Sequence, residues 1–392
     1  MQRRLKNWIE SYLDYTENTN PRESFRTWVA ISAIASVLQR KVYLEWGSEC
    51  WYPNFYIILT GPPAAGKGTA MKPARKLLDM KGIHIAASKS SNEKLIGSLY
   101  TASTTRLDAG GSIPRFHSAL TINAPELTVF LRAGDTDMLS ILCDWFDCGD
   151  KWSYDTYKHQ TQEIANVWVN LLGATTPRLL QTSLPANAFG TGFISRTLFI
   201  YEEDKERFFV YPTLDKTLEE DLLIDLDSIG LLNGRFKLAP KKPPDIFEEY
   251  AVWLSKIDTD PPIKDPRLLE CNQRQPAYLW KLCMVHSAAR GDSMEITMED
   301  FEWAVSMLRA VSYKMPMAFA GIGANPLAAV QSQIMSHLMT KKSVHTRELL
   351  RMFYQDISQD QLSTILATLH AMKFCIYDIP NRIVHYTPPT EE

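Results

Sequence analysis

The chain has 392 residues, of which 45% are hydrophobic and 22% are charged, as in ordinary globular proteins. This length allows two or three domains. No run of about 18 uncharged apolar residues occurs, so we expect a cytoplasmic protein that does not span a membrane. The net charge of −3 argues against binding nucleic acid over the whole surface, but it allows a local basic surface inside a ring or groove.

The six cysteines are scattered along the chain. Cys143 and Cys148 are the nearest pair, and no second pair follows them at the spacing of a zinc site. We therefore expect buried thiols and not a metal site or a disulfide framework.

The first elements are predicted to be helices. Leu5, Trp8, Ile9 and Leu13 recur at helical spacing, and residues 28–38 repeat the pattern with more apolar residues. Residues 1–45 are therefore expected to form a helical collar that packs on the next domain.

Residues 46–205 predict an α/β domain. From about residue 42, short apolar strands alternate with amphipathic helices, which is typical of a mainly parallel sheet covered on both faces. The predicted strands are 54–60, 83–87, 118–123, 167–174 and 197–201. Between the third and fourth strands, an alternating aromatic segment predicts a β-hairpin with Lys158 and His159 near its tip.

Residues 206–320 are predicted to be a helical lid, with proline-rich breaks and two long helices at 275–289 and 298–315. The Gly- and Pro-containing segment 321–326 is the clearest linker.

The pattern of residues 326–392 predicts a winged-helix domain. Helices are expected at 327–339 and 347–355, the second capped by Thr346, and Ser358 starts a third. Two short strands follow, at 374–378 and 382–387, and complete the winged-helix order. The third helix has almost no cationic residue on its exposed face, so contact with DNA and contact with protein stay equally open.

The most specific motif is a glycine-framed lysine loop between an apolar strand and a helix. It consists of Gly61, Pro62, Pro63, Ala64, Ala65, Gly66, Lys67, Gly68 and Thr69. Backbone N–H groups of such a loop bind phosphate, and Lys67 would reach the β- and γ-phosphates. Gly68 stands where a Ser or Thr usually contacts Mg²⁺, and Thr69 follows one place later. We expect a nucleotide-binding loop, and the alternative is a glycine turn without a ligand.

Asn123 and Glu126 follow the predicted strand 118–123. At this strand end, P-loop ATPases have a carboxylate that binds Mg²⁺ and a glutamate that polarises the attacking water. Asn123 offers a neutral amide, which is a weaker Mg²⁺ ligand. We expect Glu126 to orient water and, with Thr69, to hold the metal. The alternative is that Glu126 merely begins a helix at 126–133.

Thr175 and Thr176 follow the strand 167–174, where a polar group would lie beside the γ-phosphate. Capping of the next helix explains Thr176 equally well.

Arg196 precedes the last strand, away from its own phosphate loop. That position suits donation into the site of a neighbouring subunit, although a surface ion pair is the alternative.

The order of these motifs resembles AAA+ ATPases. The closest likeness is to replicative helicases of phages and mobile elements, with a more distant one to minichromosome-maintenance helicases. In the latter, a Ser-Arg-Phe motif carries the arginine finger, and Ser195-Arg196-Thr197 matches its first two places. Arg274 begins a segment similar to the lid helix whose leading arginine contacts the γ-phosphate, the sensor-2 role. The resemblance covers roughly residues 25–390.

The resemblance implies a hexameric ring that binds ATP and Mg²⁺ at subunit boundaries and single-stranded DNA in its pore. The hairpin 151–165 would be the pore hairpin, with Lys158 and His159 as DNA contacts. Replication proteins would be partners through the winged helix. Two other functions stay open: a DNA-binding ATP switch, such as a helicase loader or initiator, and a nucleotide kinase, because Gly66-Lys67-Gly68-Thr69 also looks like adenylate kinases.

Overall fold

The computed structural model describes residues 3–107, 114–132, 134–156, 159–184, 189–190, 192–203, 207–240, 245–319 and 327–387. The chain forms two compact units, Met1–Ala318 and Phe319–Glu392. The predicted division of the first unit into collar, core and lid stays a prediction. The predicted linker 321–326 lies outside the described residues.

The first unit mixes helices and strands. Its described helices are α1 (Trp8–Tyr15), α2 (Glu23–Leu38), α3 (Lys67–Met80), α4 (Asn92–Thr101), α5 (Leu127–Phe130), α6 (Thr136–Phe146), α7 (Pro177–Ser183), α8 (Lys216–Leu231), α9 (Ile246–Thr259), α10 (Glu270–Gln273), α11 (Gln275–Arg290) and α12 (Met298–Ala318). Its described strands are β1 (Val42–Trp46), β2 (Glu49–Trp51), β3 (Tyr56–Thr60), β4 (Ser103–Leu107), β5 (Pro114–Ala124), β6 (Lys151–Thr156), β7 (His159–Ala165), β8 (Val167–Thr175), β9 (Leu198–Tyr201), β10 (Gly234–Arg235), β11 (Lys237–Leu238) and β12 (Glu295–Ile296).

A five-stranded sheet in the order β4–β5–β8–β3–β9 forms the centre of this unit. The last four strands are parallel, and β4 pairs antiparallel at the edge. Every residue of β3 and β8 is buried, as expected for strands covered on both faces. The prediction of a mainly parallel sheet is therefore confirmed.

The register places the carboxyl ends of three strands at one edge of the sheet. Thr60 of β3 pairs with Thr175 of β8, and Asn123 of β5 pairs with Leu172. The loop after β3, the segment after β5 and the end of β8 therefore meet. In parallel α/β sheets, ligands bind outside this edge.

A buried amide fixes α2 on the sheet. The Asn170 side chain accepts a hydrogen bond from the Phe55 backbone N–H at 2.9 Å. Its amide nitrogen donates to the Ser32 hydroxyl at 2.9 Å and to the Ser36 hydroxyl at 3.1 Å. Because this side chain is fully buried, these bonds satisfy polar atoms that have no access to water.

The predicted strand 83–87 is wrong. In this segment only Ile85 forms a bridge, to Thr121 of β5. On the same edge, β4, which the sequence did not predict, pairs with residues 114–118 of β5. Beyond β4, only the backbone groups of His84 and Ala86 bond to Thr121, at 2.9 and 2.8 Å, so the segment joins the sheet through a single bridge.

The predicted hairpin is confirmed, because β6 and β7 pair antiparallel. His159 is the first residue of β7 and pairs with Thr156. Lys158 lies outside the described residues.

The second unit contains α13 (Ala328–Lys341), β13 (Ser343–His345), α14 (Thr346–Met352), α15 (Gln359–Ala371), β14 (Cys375–Asp378) and β15 (Ile383–Tyr386). Its sheet has the order β13–β15–β14, and β13 was not predicted. The capping box of Ser358 and Gln361 is confirmed. His345, not Thr346, caps α14, because its Nδ1 accepts from the Arg347 backbone N–H at 3.0 Å.

All six cysteines lie in the described ranges, and none of them forms a disulfide; Cys50 is exposed and the other five are buried. Among the described helices, none has the length and apolar character needed to cross a bilayer.

Candidate functional site

The loop after β3 is shaped by two positions that require glycine. A Cβ atom at Gly61 would stand 2.2 Å from the backbone carbonyl oxygen of Glu202. Gly66 has a φ of +87°, in the left-handed region that favours glycine, and it packs against Pro21. The loop therefore turns sharply from β3 into α3.

Glu202, which bounds the loop at Gly61, is itself held in place. Its carboxylate is only 7% exposed and accepts from Lys314 at 2.8 Å and from the Ser24 hydroxyl at 2.7 Å. Since Lys314 lies on α12 and Ser24 on α2, the residue connects the loop to two helices.

Lys67 begins α3 and is oriented toward the loop. Its Nζ donates to the carbonyl oxygens of Gly61 at 2.8 Å and Pro62 at 2.7 Å. Burial lowers the pKa of Lys67, and the Glu126 carboxylate opposes that shift. The first turn of α3 has no side-chain cap, so its N–H groups are available for a ligand. A phosphate would compete with the loop carbonyls for the ammonium group.

The predicted residues meet at one cavity of about 740 Å³. From the sequence-predicted set it is lined by Pro63, Ala64, Gly66, Lys67, Gly68, Thr69, Asn123, Glu126 and Thr175. Gly61, Pro62 and Ala65 form the turn behind it and do not line it. Three segments that are far apart in the sequence thus supply one concave site at the carboxyl edge of the sheet.

The polar groups opposite the loop differ in burial. Asn123 is 4% exposed and Thr175 is 2% exposed, whereas Glu126 is exposed to solvent. The helix that Glu126 precedes, α5, has only four residues, and the Glu126 side chain makes no capping bond. Glu126 therefore does little to stabilise the start of α5, and its carboxylate is available to a ligand in the cavity.

Thr176 caps α7, because its hydroxyl accepts from the Leu179 backbone N–H at 3.2 Å. This bears out the alternative stated for Thr176. The Thr175 hydroxyl makes a long bond of 3.4 Å to the Thr176 carbonyl and also lines the cavity.

Sequence reasoning missed three polar lining residues, Asn20, Lys72 and Arg75. Lys72 and Arg75 follow Gly68 at i+4 and i+7 on α3, so helical periodicity places all three on one face. That spacing was the available signal. Asn20 precedes α2, and nothing local connects it with the loop. Lys72 therefore adds positive charge to the cavity, whereas the Arg75 guanidinium is paired with Asp79, with Nε 2.9 Å from Oδ2.

Arg196 and Arg274 lie outside this cavity. The Arg196 guanidinium binds Asp147, with Nη2 2.7 Å from Oδ2, and Arg274 Nη1 lies 3.5 Å from Oδ1 of the same carboxylate. Arg196 therefore lies away from its own loop, and the ion pair stated as its alternative is present. Arg274 does not lie at the phosphate loop of its own chain, because the turn before α11 places it beside Asp147.

The lining of the cavity suits a triphosphate and Mg²⁺. The uncapped first turn of α3, together with Lys67 and Lys72, suits an anion. For a divalent ion the cavity offers the Thr69 hydroxyl, the Glu126 carboxylate and the Asn123 amide. Within the described ranges, no group of three or more His, Cys, Asp or Glu side chains is placed to hold a metal. This set fits a Mg²⁺ ion that takes its other ligands from phosphate and water.

No protein-family model matches the sequence. A search of curated proteins also finds no match.

Proposed function

We propose that this protein is a P-loop ATPase of the AAA+ type that acts as a ring-shaped helicase or translocase on single-stranded DNA. The observation that carries the proposal is the single cavity at the carboxyl edge of the sheet. It gathers the glycine-framed Lys67 loop, the Asn123–Glu126 segment and Thr175. These are the positions where this class of enzyme needs a phosphate cradle, an acidic group and a polar sensor.

Each residue has a role that follows from its chemistry. Backbone N–H groups at the start of α3 bind the phosphate oxygens, and Lys67 exchanges its two carbonyl acceptors for them. Glu126 orients water toward the terminal phosphate, and Thr175 donates a hydrogen bond to that phosphate. When bound, Mg²⁺ neutralises charge on the phosphates.

The oligomeric part of the proposal comes from Arg196. Because its guanidinium lies outside its own cavity, it can serve a nucleotide only in another copy. A head-to-tail interface that closes on itself gives a ring, and a hexamer is the ring that the AAA+ resemblance implies. The nucleotide would then lie at the boundary between subunits.

The second unit supports a winged-helix assignment. Its elements follow the order helix, strand, helix, helix and hairpin, with three antiparallel strands. The exposed face of α15 includes Ser363, Thr364 and Thr368 and no Lys or Arg. A recognition helix that contacts DNA phosphates would normally carry Lys or Arg, so we assign this unit to contact with replication proteins.

The direct test measures ATP hydrolysis with and without single-stranded DNA. Lys67→Ala should lose phosphate binding, and Glu126→Gln should bind ATP but turn it over about 100-fold more slowly, in the range of a lost general base. Lys94→Ala, an exposed lysine of α4 outside the cavity, is the matched control and should behave as the wild type. Wild-type hydrolysis by both site variants would refute the assignment.

A second function is favoured by Asn123. A buried amide replaces the usual carboxylate at this strand end, which weakens Mg²⁺ binding. A DNA-binding ATP switch with slow turnover, such as a loader or initiator, would use such a site. A strand-displacement assay separates the two functions: tight ATP-dependent DNA binding without displacement supports the switch.

A further inference from the structure

A second polar cluster lies outside the nucleotide cavity, and the function above uses only one of its members. Its centre is Asp147, the residue that follows the last turn of α6. Both Asp147 oxygens are engaged by Arg196, with Nη2 at 2.7 Å from Oδ2 and Nε at 3.4 Å from Oδ1. Arg274 approaches Oδ1 at 3.5 Å. One carboxylate thus lies between two guanidinium groups.

Three parts of the chain must fold together to build this cluster. Asp147 follows α6, Arg196 lies in the turn before β9, and Arg274 lies between α10 and α11. Gly192 has a φ of +81°, and its carbonyl accepts from Arg196 Nη1 at 3.3 Å. A Cβ at Gly192 would stand 2.6 Å from that nitrogen, so this glycine leaves room for the arginine to fold back. The Arg196 guanidinium is thereby oriented toward the Asp147 carboxylate.

The cluster has more positive than negative charge. Beneath it, Lys281 is 3% exposed and donates to the Asn54 side-chain oxygen at 2.7 Å. Asp144, one turn earlier on α6, is the other nearby carboxylate and is exposed to solvent. The Arg196 side chain is 17% exposed and that of Arg274 is 30% exposed. The two guanidinium groups therefore keep access to solvent and suit an anion with several negative charges, such as a phosphate.

We propose that Asp147 is a positioning residue that holds Arg196 and Arg274 side by side, so that both serve the terminal phosphate of a nucleotide bound by the neighbouring copy. This inference rests on the proposed ATPase function. It assigns Arg274 to the same side of the subunit boundary as Arg196, and not to the phosphate loop of its own chain. Without the shared carboxylate, two neighbouring guanidinium groups repel each other and lose their common orientation.

The test uses Asp147→Asn in the full-length chain, with Asp144→Asn as the matched control on the same helix. Asp147→Asn should bind ATP in its own cavity within about twofold of the wild type. Its turnover should fall about 100-fold, the cost of misplacing a catalytic group by about 1 Å. Asp147→Glu, which keeps the charge, should recover much of that turnover, and Asp144→Asn should behave as the wild type.

Mixing experiments identify the side of the boundary on which each variant fails. In an equal mixture of Asp147→Asn and Lys67→Ala subunits, random assembly gives roughly one quarter of the boundaries an intact loop and intact arginines. Turnover should rise accordingly, and a mixture of Arg274→Ala with Lys67→Ala should behave in the same way. A mixture of Asp147→Asn with Arg196→Ala should recover nothing, because every boundary lacks an ordered arginine pair. A purely structural defect would not follow this pattern.

Two outcomes overturn the inference. The first is an Asp147→Asn variant with wild-type turnover. The second is rescue of Asp147→Asn or Arg274→Ala by Arg196→Ala but not by Lys67→Ala, which would place the defect on the nucleotide side. If Asp147→Asn does not fold, the Arg274→Ala mixtures still decide on which side of the boundary Arg274 acts. Absence of hydrolysis by the wild-type protein is a different result, because it refutes the proposed function itself.

Discussion

Replacing Lys281 with methionine should remove a rise in stability that the wild-type protein has at alkaline pH. The Lys281 ammonium group is buried, donates to two oxygens of Asn54 and lies 4.0 Å from the centre of the Phe146 ring. Burial is the main cause that lowers the pKa of Lys281 from its ordinary 10.5 to about 8. Methionine has a similar length without the charge.

The sign and size of the effect follow from this pKa. Between pH 8 and 10.5 the unfolded chain binds more protons at Lys281 than the folded chain does, so the free energy of unfolding rises with pH. The cost of the buried charge is therefore fully present below pH 8 and is lost progressively between pH 8 and 10.5. The full shift corresponds to about 3 kcal/mol, of which about 2 kcal/mol falls between pH 7 and 9.5.

Urea unfolding followed by tryptophan fluorescence measures this rise. All ten tryptophans precede residue 319, so the signal reports on the first unit alone. Between pH 7 and 9.5, the free energy of unfolding of the wild-type protein should rise by about 2 kcal/mol more than that of Lys281→Met. Other titrating groups are common to both proteins and cancel in the difference. The exposed Lys94→Met is the control and should run parallel to the wild type, and parallel curves for Lys281→Met would refute the reasoning.

Two further predictions concern the nucleotide cavity. Gly61→Ala places a Cβ 2.2 Å from the Glu202 carbonyl, so the loop must shift. We expect a destabilisation of about 1–3 kcal/mol, together with a loss of ATP affinity of about tenfold by calorimetry. Gly97→Ala on α4 is its control, since a Cβ there meets no atom within 4 Å and Gly97 lies outside the cavity, and equal affinities for the two variants would contradict the steric argument. Asn123→Asp adds a carboxylate beside Glu126 and should lower the Mg²⁺ concentration for half-maximal hydrolysis several-fold. An unchanged Mg²⁺ titration would show that this strand end does not contact the metal.

The sequence predicts the centre of the molecule well, because its signals there are local. The strands 54–60 and 167–174 are apolar throughout, and both lie in the sheet as β3 and β8. The loop between β3 and α3 is marked by glycines whose conformations the fold requires. Ser358 and Gln361 form the capping box that their spacing indicates.

The features that were missed depend on contacts between distant segments. The segment 83–87 is apolar enough for a strand, but it meets β5 only through the bridge from Ile85 to Thr121, beyond the residues that pair with β4. Asp147 has no motif around it, and its meeting with Arg196 and Arg274 depends on how three separate turns pack. Local pattern gives no information about such pairing. Tertiary structure alone brings these residues together.

The carbonyl at Glu202 limits how the loop could evolve. The atom that excludes a side chain from Gly61 belongs to the main chain, and every amino acid at position 202 would carry the same oxygen. A compensating replacement at 202 therefore cannot make room for a larger residue at 61. Only a displacement of the backbone that follows β9 would do so, and that would also disturb the contacts of Glu202 with Lys314 and Ser24.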